Sequence, residues 1–298
     1  MSAVDQLLTR LGHVDEIVDF ASHPIVGTPQ SVVDGLLRSS AIQALAALEA
    51  FVRSRAVEWS ASLTAARVSP SNLPGGVEVF QSRLIRTFPK RYTDTEVGMR
   101  GQLASEFSTT LASFSTGSVD AHALFFEWIG SNMQSADVET ILNLVGIDRP
   151  WGDMTALWKK IDPATPAASA KTLFTSVTDL RHPAAHQASP ALPLANIQTL
   201  SRNTLLTALL IDAIVSTSID DLAAGRPLRK AIGNQIPIRK LEKDGKKWSE
   251  TVAKSKRAIR RHDTLALAIK DSAPRAKKGG ELLIAFDGPT ICDWRTLI

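Results

Sequence analysis

From the amino terminus to about residue 225, apolar residues recur at intervals of three and four, the spacing that lines one face of an α-helix. Residues 1–20 read as a short amphipathic helix, which His23-Pro24 and Gly27 then interrupt. A long helix is expected from Thr28 to about Leu63, because Thr28 suits the cap and Pro29 the first helical position. Within it Ile42, Leu45, Val52 and Ala56 form one stripe, and Glu49 falls on the same stripe. A carboxylate on an apolar face needs a partner, since burying an unpaired charge is costly. Arg53, four residues on, answers that need within the helix, and Arg181 answers it from another helix.

Two prolines and two glycines between Ser69 and Gly76 end this pattern. Helical spacing resumes from Val77 to Phe88, and Thr93 with Glu96 reads as a capping box for a helix reaching about Phe114. Ser118 is placed to cap Val119–Gly130 as a helix facing inward through Ala123, Phe126 and Ile129, with His122 a packing or surface residue. Residues 130–147 read as a turn and a short helix ending at Gly146. Trp151 and Trp158 stand among prolines between Asp148 and Pro166; their rings suit the end of a helical bundle, and stacking on nucleobases is the other use of such rings. A helix from about Ala167 to Arg181 carries Ala170, Phe174, Val177 and Arg181 on one stripe, so the guanidinium is expected to point inward or into a cleft. Ser189–Leu194 reads as a turn, and Ala195–Ala224 as a long helix burying Ile197, Leu200, Ile211 and Ile214.

Beyond Gly225 the helical period weakens. Leu265–Asp271, Glu281–Gly288 and Thr290–Ile298 read as strands, the last two joined by a tight turn at Asp287-Gly288-Pro289. The expected fold class is therefore mainly α: an N-terminal helical extension (1–29), an up-and-down helical bundle (30–225) and a small C-terminal α+β appendage (226–298) with antiparallel β-strands.

Charge changes the view of that appendage. Residues 226–298 hold 18 Lys and Arg against 8 Asp and Glu, a balance of +10, which leaves 16 against 22 in residues 1–225, a balance of −6. A basic tail behind an acidic body suits a polyanionic partner, because clustered bases release phosphate counterions on binding. A solvated basic face has the same composition. The densest cluster is Lys254, Lys256, Arg257, Arg260 and Arg261. The single cysteine, Cys292, offers neither an internal disulfide nor half a cysteine zinc site. The first 20 residues carry acids where a signal peptide carries bases, and the most apolar run, Leu205–Val215, is broken by Asp212 and falls short of the ~20 residues of a membrane span. A cytoplasmic protein without a membrane segment is expected.

Candidate chemistry concentrates in Asp179-Leu180-Arg181-His182-Pro183-Ala184-Ala185-His186. Arg181 and His186 are five residues apart, about 140° around a regular helix. Pro183 lacks an amide hydrogen and clashes with the preceding turn, so a break is expected that lets both side chains face one cavity. An arginine fork suits phosphate, and a histidine exchanges protons near neutral pH. Together they meet the needs of RNA cleavage by internal 2′-hydroxyl attack, with no metal or other cofactor. That route uses two proton-transfer groups, supplied by His186 with His182 or by two copies meeting across a twofold axis. His182 and His186 also form an H-x-x-x-H spacing that zinc can use, although the glutamate of H-E-x-x-H is missing. A purely structural use is open as well, with Arg181 paired to Glu49 or Asp179 and the histidines capping helix ends.

Leu36–Phe51 as a first core helix, Gly130–Ile147 in the middle and Leu180–His186 as an R-x4-H motif, in this order, resemble the HEPN superfamily of helical-bundle ribonucleases, and more closely its RiboL-PSP-HEPN-like branch. The likeness covers about residues 30–225 and leaves the basic tail outside. It implies a homodimer whose motifs line a shared cleft, with metal-independent endoribonuclease activity. Arg181 and His186 would be its catalytic pair, His182 would stand where such families place an orienting polar residue, and Glu49 would match an acidic position that holds the arginine. Pro183 departs from the pattern. Similar proteins act as toxins or antiviral defence effectors under an antitoxin or a defence-system partner, and others serve as inactive RNA-binding or dimerisation modules.

Overall fold

The computed structural model describes residues 2–163, 168–186, 192–252 and 255–298, without the side chains of Ser255 and Lys256. It is a mainly α-helical bundle with a small C-terminal region of mixed β-strands. The chain divides into two compact units, each assembled from separate stretches: Met1–Phe51, Trp158–Leu210 and Pro237–Thr296 in the first, Val52–Leu157, Ile211–Ile236 and Leu297–Ile298 in the second.

The first unit begins with α1 (Ala3–Ser22), started by a capping box: the Ser2 hydroxyl accepts the Asp5 amide at 3.1 Å, and the Asp5 carboxylate accepts the Ser2 amide at 3.0 Å. Leu7, Leu11, Val14 and Val18 form its buried stripe. Next comes α2 (Gln30–Ala65), which continues into the second unit. Further on, α7 (Ala170–His186), α8 (Leu194–Gln198) and α9 (Leu200–Ala223) follow, so the helix expected over 195–224 is interrupted at Thr199. Ile197, Leu200, Ile211 and Ile214 on them are buried as their spacing implies.

Three strands occupy the basic stretch where none was expected: β1 (Ile238–Asp244), β2 (Lys247–Val252) and β3 (Ser255–His262). Leu265–Asp271 is not a strand but the first half of α11 (Leu265–Gly279), capped by the Thr264 hydroxyl, which accepts the Leu267 amide at 3.3 Å. Its buried residues Ala268, Ser272 and Ala276 recur every four positions, and the small side chains let the helix lie close to the sheet. Strands β4 (Leu282–Asp287) and β5 (Thr290–Arg295) form the expected hairpin. The sheet order is β3-β2-β1-β4-β5, and because α11 carries the chain back across one face, β4 pairs with β1 in parallel; the sheet is mixed rather than wholly antiparallel. Leu241, Trp248, Leu283 and Ala285 pack with Ala268 and Ala276 beneath α11. On β5, Trp294 meets Phe51 edge to face at 5.6 Å.

In the second unit, α3 (Val77–Asp94) runs past the expected capping box: Thr93 lies inside the helix, its hydroxyl donating to the Pro89 carbonyl oxygen at 2.9 Å. After a 3₁₀ turn at Val97–Met99 comes α4 (Arg100–Ser113). Val119–Gly130 is not an α-helix; it forms one 3₁₀ turn, Ala123–Phe126, capped by His122, whose Nδ1 accepts the Leu124 amide at 3.1 Å. That turn aims Phe125 at Phe80 and Phe126 at Trp59, centroids 5.2 and 5.4 Å apart, and leaves Ile129 exposed. A short helix, α5 (Ser135–Leu144), precedes Gly146, and the tryptophan-containing stretch forms α6 (Pro150–Ile161), which leads into the first unit. At α10 (Ile232–Gln235), a Cβ on Gly233 would stand 1.9 Å from the Asp153 carbonyl oxygen, so only glycine fits. Asp212, the charge inside the apolar run of α9, is answered by Arg55: Nε donates to Asp212 at 2.8 Å and Nη2 to the Ser216 hydroxyl at 2.9 Å. Among the described residues, α2 is long and apolar enough to cross a membrane by length and composition, with 56% of that window buried inside the protein.

Candidate functional site

The sequence of α7 decides where the Arg-His motif sits. Ala170, Leu173, Phe174, Val177, Leu180 and Ala184 are its buried residues, so the inward stripe passes through Leu180 and Ala184. Arg181 is left at the edge of that stripe, half-buried rather than pointing inward, with His182 and His186 exposed. Nor does Pro183 break the helix, which continues to His186. A proline removes one backbone hydrogen bond, and the burial of Leu180 and Ala184 on either side holds the last turn in place.

Arg181 and His186 nevertheless meet. Five residues climb about 7.5 Å along a helix axis, a distance the long arginine side chain covers by lying along the turn. Arg181 Nη1 stands 3.3 Å from His186 Nε2. A guanidinium only donates, so the contact is a hydrogen bond in the imidazole tautomer whose Nε2 accepts. His182, one turn before His186, has its ring centroid 5.1 Å away. The helix thus brings Arg181, His182 and His186 into one exposed cluster.

Glu49 is buried on α2, and the described hydrogen bond of Arg181 goes to His186. Arg53 lies over the Trp128 ring at 4.2 Å. Among the predicted RNA-contacting residues, Arg257, Arg260 and Arg261 lie exposed on β3, an edge strand of the sheet. Arg260 and Arg261, paired with Glu250 and Ser249 of β2, are consecutive and lie on opposite faces, and an irregularity in the β2–β3 register separates them from Arg257. Arg261 is 3.8 Å from Asp244, with both side chains in solvent, a pair worth little. Lys254 lies outside the described residues, as does the side chain of Lys256. Among the described residues, no group of three or more His, Cys, Asp and Glu is placed to hold a metal ion.

One charged cluster had no signal in the sequence. Glu250 on β2 is fully buried; Arg239 and Arg275 both donate to it, and Arg239 Nε also reaches Glu281 at 2.6 Å. Burial alone would push the Glu250 carboxyl up, and the bonds from Arg275, Arg239 and Ser272 bring it below the ordinary carboxylate range. Its neighbour His262 has Nε2 3.6 Å from Glu250 and Nδ1 3.5 Å from Asp271. These residues look like ordinary strand and helix surface until the sheet assembles. Burial raises the Cys292 thiol to about 11, so it is a poor nucleophile at neutral pH.

Comparison of the chain with protein-family models, with curated proteins and with solved structures gave no match. A functional reading therefore rests on the residues themselves.

Proposed function

We propose that the protein is a metal-independent, homodimeric endoribonuclease of the R-x4-H type, acting in the cytoplasm as a toxin or antiviral defence effector under an antitoxin or defence-system partner. The observation that carries this reading is the approach of Arg181 Nη1 to within 3.3 Å of His186 Nε2 on an exposed helix end. When RNA enters, Arg181 turns from the histidine to a phosphate oxygen, freeing the Nε2 lone pair to take the proton of the ribose 2′-hydroxyl. The 2′ oxygen bonds to phosphorus, the guanidinium stabilises the pentacoordinate charge, and the P–O5′ bond breaks. A second protonated imidazole, His182 or a histidine of the other copy, gives the departing 5′ oxygen its proton. The products are a 2′,3′-cyclic phosphate and a 5′-hydroxyl. Glu49 acts in this scheme from the first core helix as an electrostatic support of the site.

Lys254, Lys256, Arg257, Arg260 and Arg261 grip the RNA backbone in this reading. The exposed arginines of β3 also favour a second reading, an inactive RNA-binding or dimerisation module. Incubation of purified protein with mixed RNA in EDTA separates the two. The enzyme reading expects cleavage that is lost in Arg181→Ala and His186→Ala; intact RNA under all conditions, with salt-sensitive binding, supports the module. Cleavage that survives both substitutions removes the Arg-His mechanism.

A further inference from the structure

The first unit contains a cavity of about 660 Å³, within the ~300–1,000 Å³ range of small-molecule sites. Its walls are mainly apolar, with Leu8 and Leu11 from α1, Leu205 and Leu206 from α9, and Phe286 and Ile291 from the β4–β5 hairpin. Gly12 opens onto it from the middle of α1, and a Cβ there would meet no atom within 4 Å.

The charged groups on the lining narrow the choice of ligand. Arg202 and Asp162 pair with each other at 3.1 Å. Asp15 and Glu242 are exposed, consistent with places at the mouth. Lys240 is different. It is half-buried, its Nζ donates to the Ile161 carbonyl oxygen at 3.3 Å, and it stands 5.2 Å from the centroid of the Phe286 ring. Among the described residues no carboxylate pairs with it. A half-buried ammonium beside an aromatic ring, in an apolar wall and without a counterion, has the environment an anionic ligand would complete. Asp15 and Glu242 repel a polyanion, so the fit is to a single negative charge.

We propose that this cavity binds a small amphipathic monoanion, an apolar body with one carboxylate, with the acid on Lys240 and the body between α1, α9 and the β4–β5 hairpin. Calorimetric titration of the full chain with octanoate, and with octanol as the uncharged match, tests it in three proteins. The native chain should bind octanoate at least about tenfold more tightly than octanol, the discrimination expected of one buried charge pair. Lys240→Gln should lose that preference while still binding octanol. Gly12→Leu should fill the cavity and abolish binding of both, with a melting temperature no lower than that of the native chain, so that the loss is not misfolding. Equal affinity for the two ligands, an undiminished preference in Lys240→Gln, or no octanoate binding at low millimolar concentration overturns the proposal.

Discussion

Asp293 offers a quantitative test of the electrostatics of the sheet. It lies on β5 with 6% of its surface exposed. One carboxylate oxygen accepts from Arg295 Nη2 at 3.0 Å, while Oδ1 is buried without a hydrogen-bond partner. Burial pushes its carboxyl from the ordinary 3.8 up to about 6, against the opposing pull of Arg295 and the Trp294 amide. A rise of about two pKa units corresponds to ~3 kcal/mol of preference for the neutral form in the folded chain. Because the folded protein holds this proton more tightly than the unfolded chain, the contribution is most favourable below pH 3.8. It is lost as pH rises towards 6, and the full penalty persists above that.

The Asp293→Asn variant would keep an oxygen for Arg295 and place an uncharged amide where the unpaired oxygen lies. Subtracting ~1 kcal/mol for the weakened bond to the guanidinium, the variant should be more stable than the native protein at pH 7.5 by about 2 kcal/mol. For a chain of this size that is a rise in melting temperature of ~3 °C. At pH 4 the advantage should largely vanish. Thermal melts of both proteins followed by circular dichroism at the two pH values provide the measurement. A variant less stable at pH 7.5, or one whose advantage is the same at pH 4, would show that burial does not govern this carboxyl.

In the RNase assay, His186→Ala should lower the rate of RNA cleavage at least ~100-fold, the usual scale of a lost proton-transfer group, without changing the melting temperature of this exposed position. Replacing Arg257, Arg260 and Arg261 together by alanine should reduce the slope of log affinity against log salt for single-stranded RNA by about 2, read by fluorescence anisotropy at several salt concentrations. Asp212→Ala removes the 2.8 Å partner of Arg55 Nε while leaving the contacts of its guanidinium to Glu58 and Ser216, and should cost ~1–3 kcal/mol in urea denaturation. Gly233→Ala drives a methyl group into the Asp153 carbonyl and should cost upwards of ~2 kcal/mol, visible as a lowered melting temperature or as insoluble protein.

Where one signal dominated, local sequence predicted local structure. The strongly periodic stretches gave α1, α2 and the core of α9, and turn residues marked the β4–β5 hairpin. Leu265–Asp271 failed because a short, mostly apolar run satisfies a strand and a helix equally. The deciding fact is that Ala268, Ser272 and Ala276 meet the sheet, whose strands come from other parts of the chain. β1 to β3 escaped notice because lysines and arginines interrupt their alternation, and the buried charge of Glu250 makes sense only once Arg239 and Arg275 stand beside it.

The candidate site divides in the same way. Residue types and spacing in Leu180–His186 were enough to single out an arginine and two histidines, because their chemistry belongs to the side chains. Whether Pro183 ends the helix was a contest between one lost hydrogen bond and the burial of Leu180 and Ala184, and packing against the rest of the unit settled it in favour of a continuous helix. The meeting of Arg181 with His186 follows from that continuity. The sequence by itself determined a mainly helical chain, its basic C-terminal stretch and the clustering of Arg181, His182 and His186, since these depend on composition and near-neighbour periodicity. The parallel pairing of β1 with β4, the counterions of Asp212 and Glu250, and the cavity lined by Lys240 were decided only by tertiary structure, because each joins residues whose separation along the chain carries no local signal.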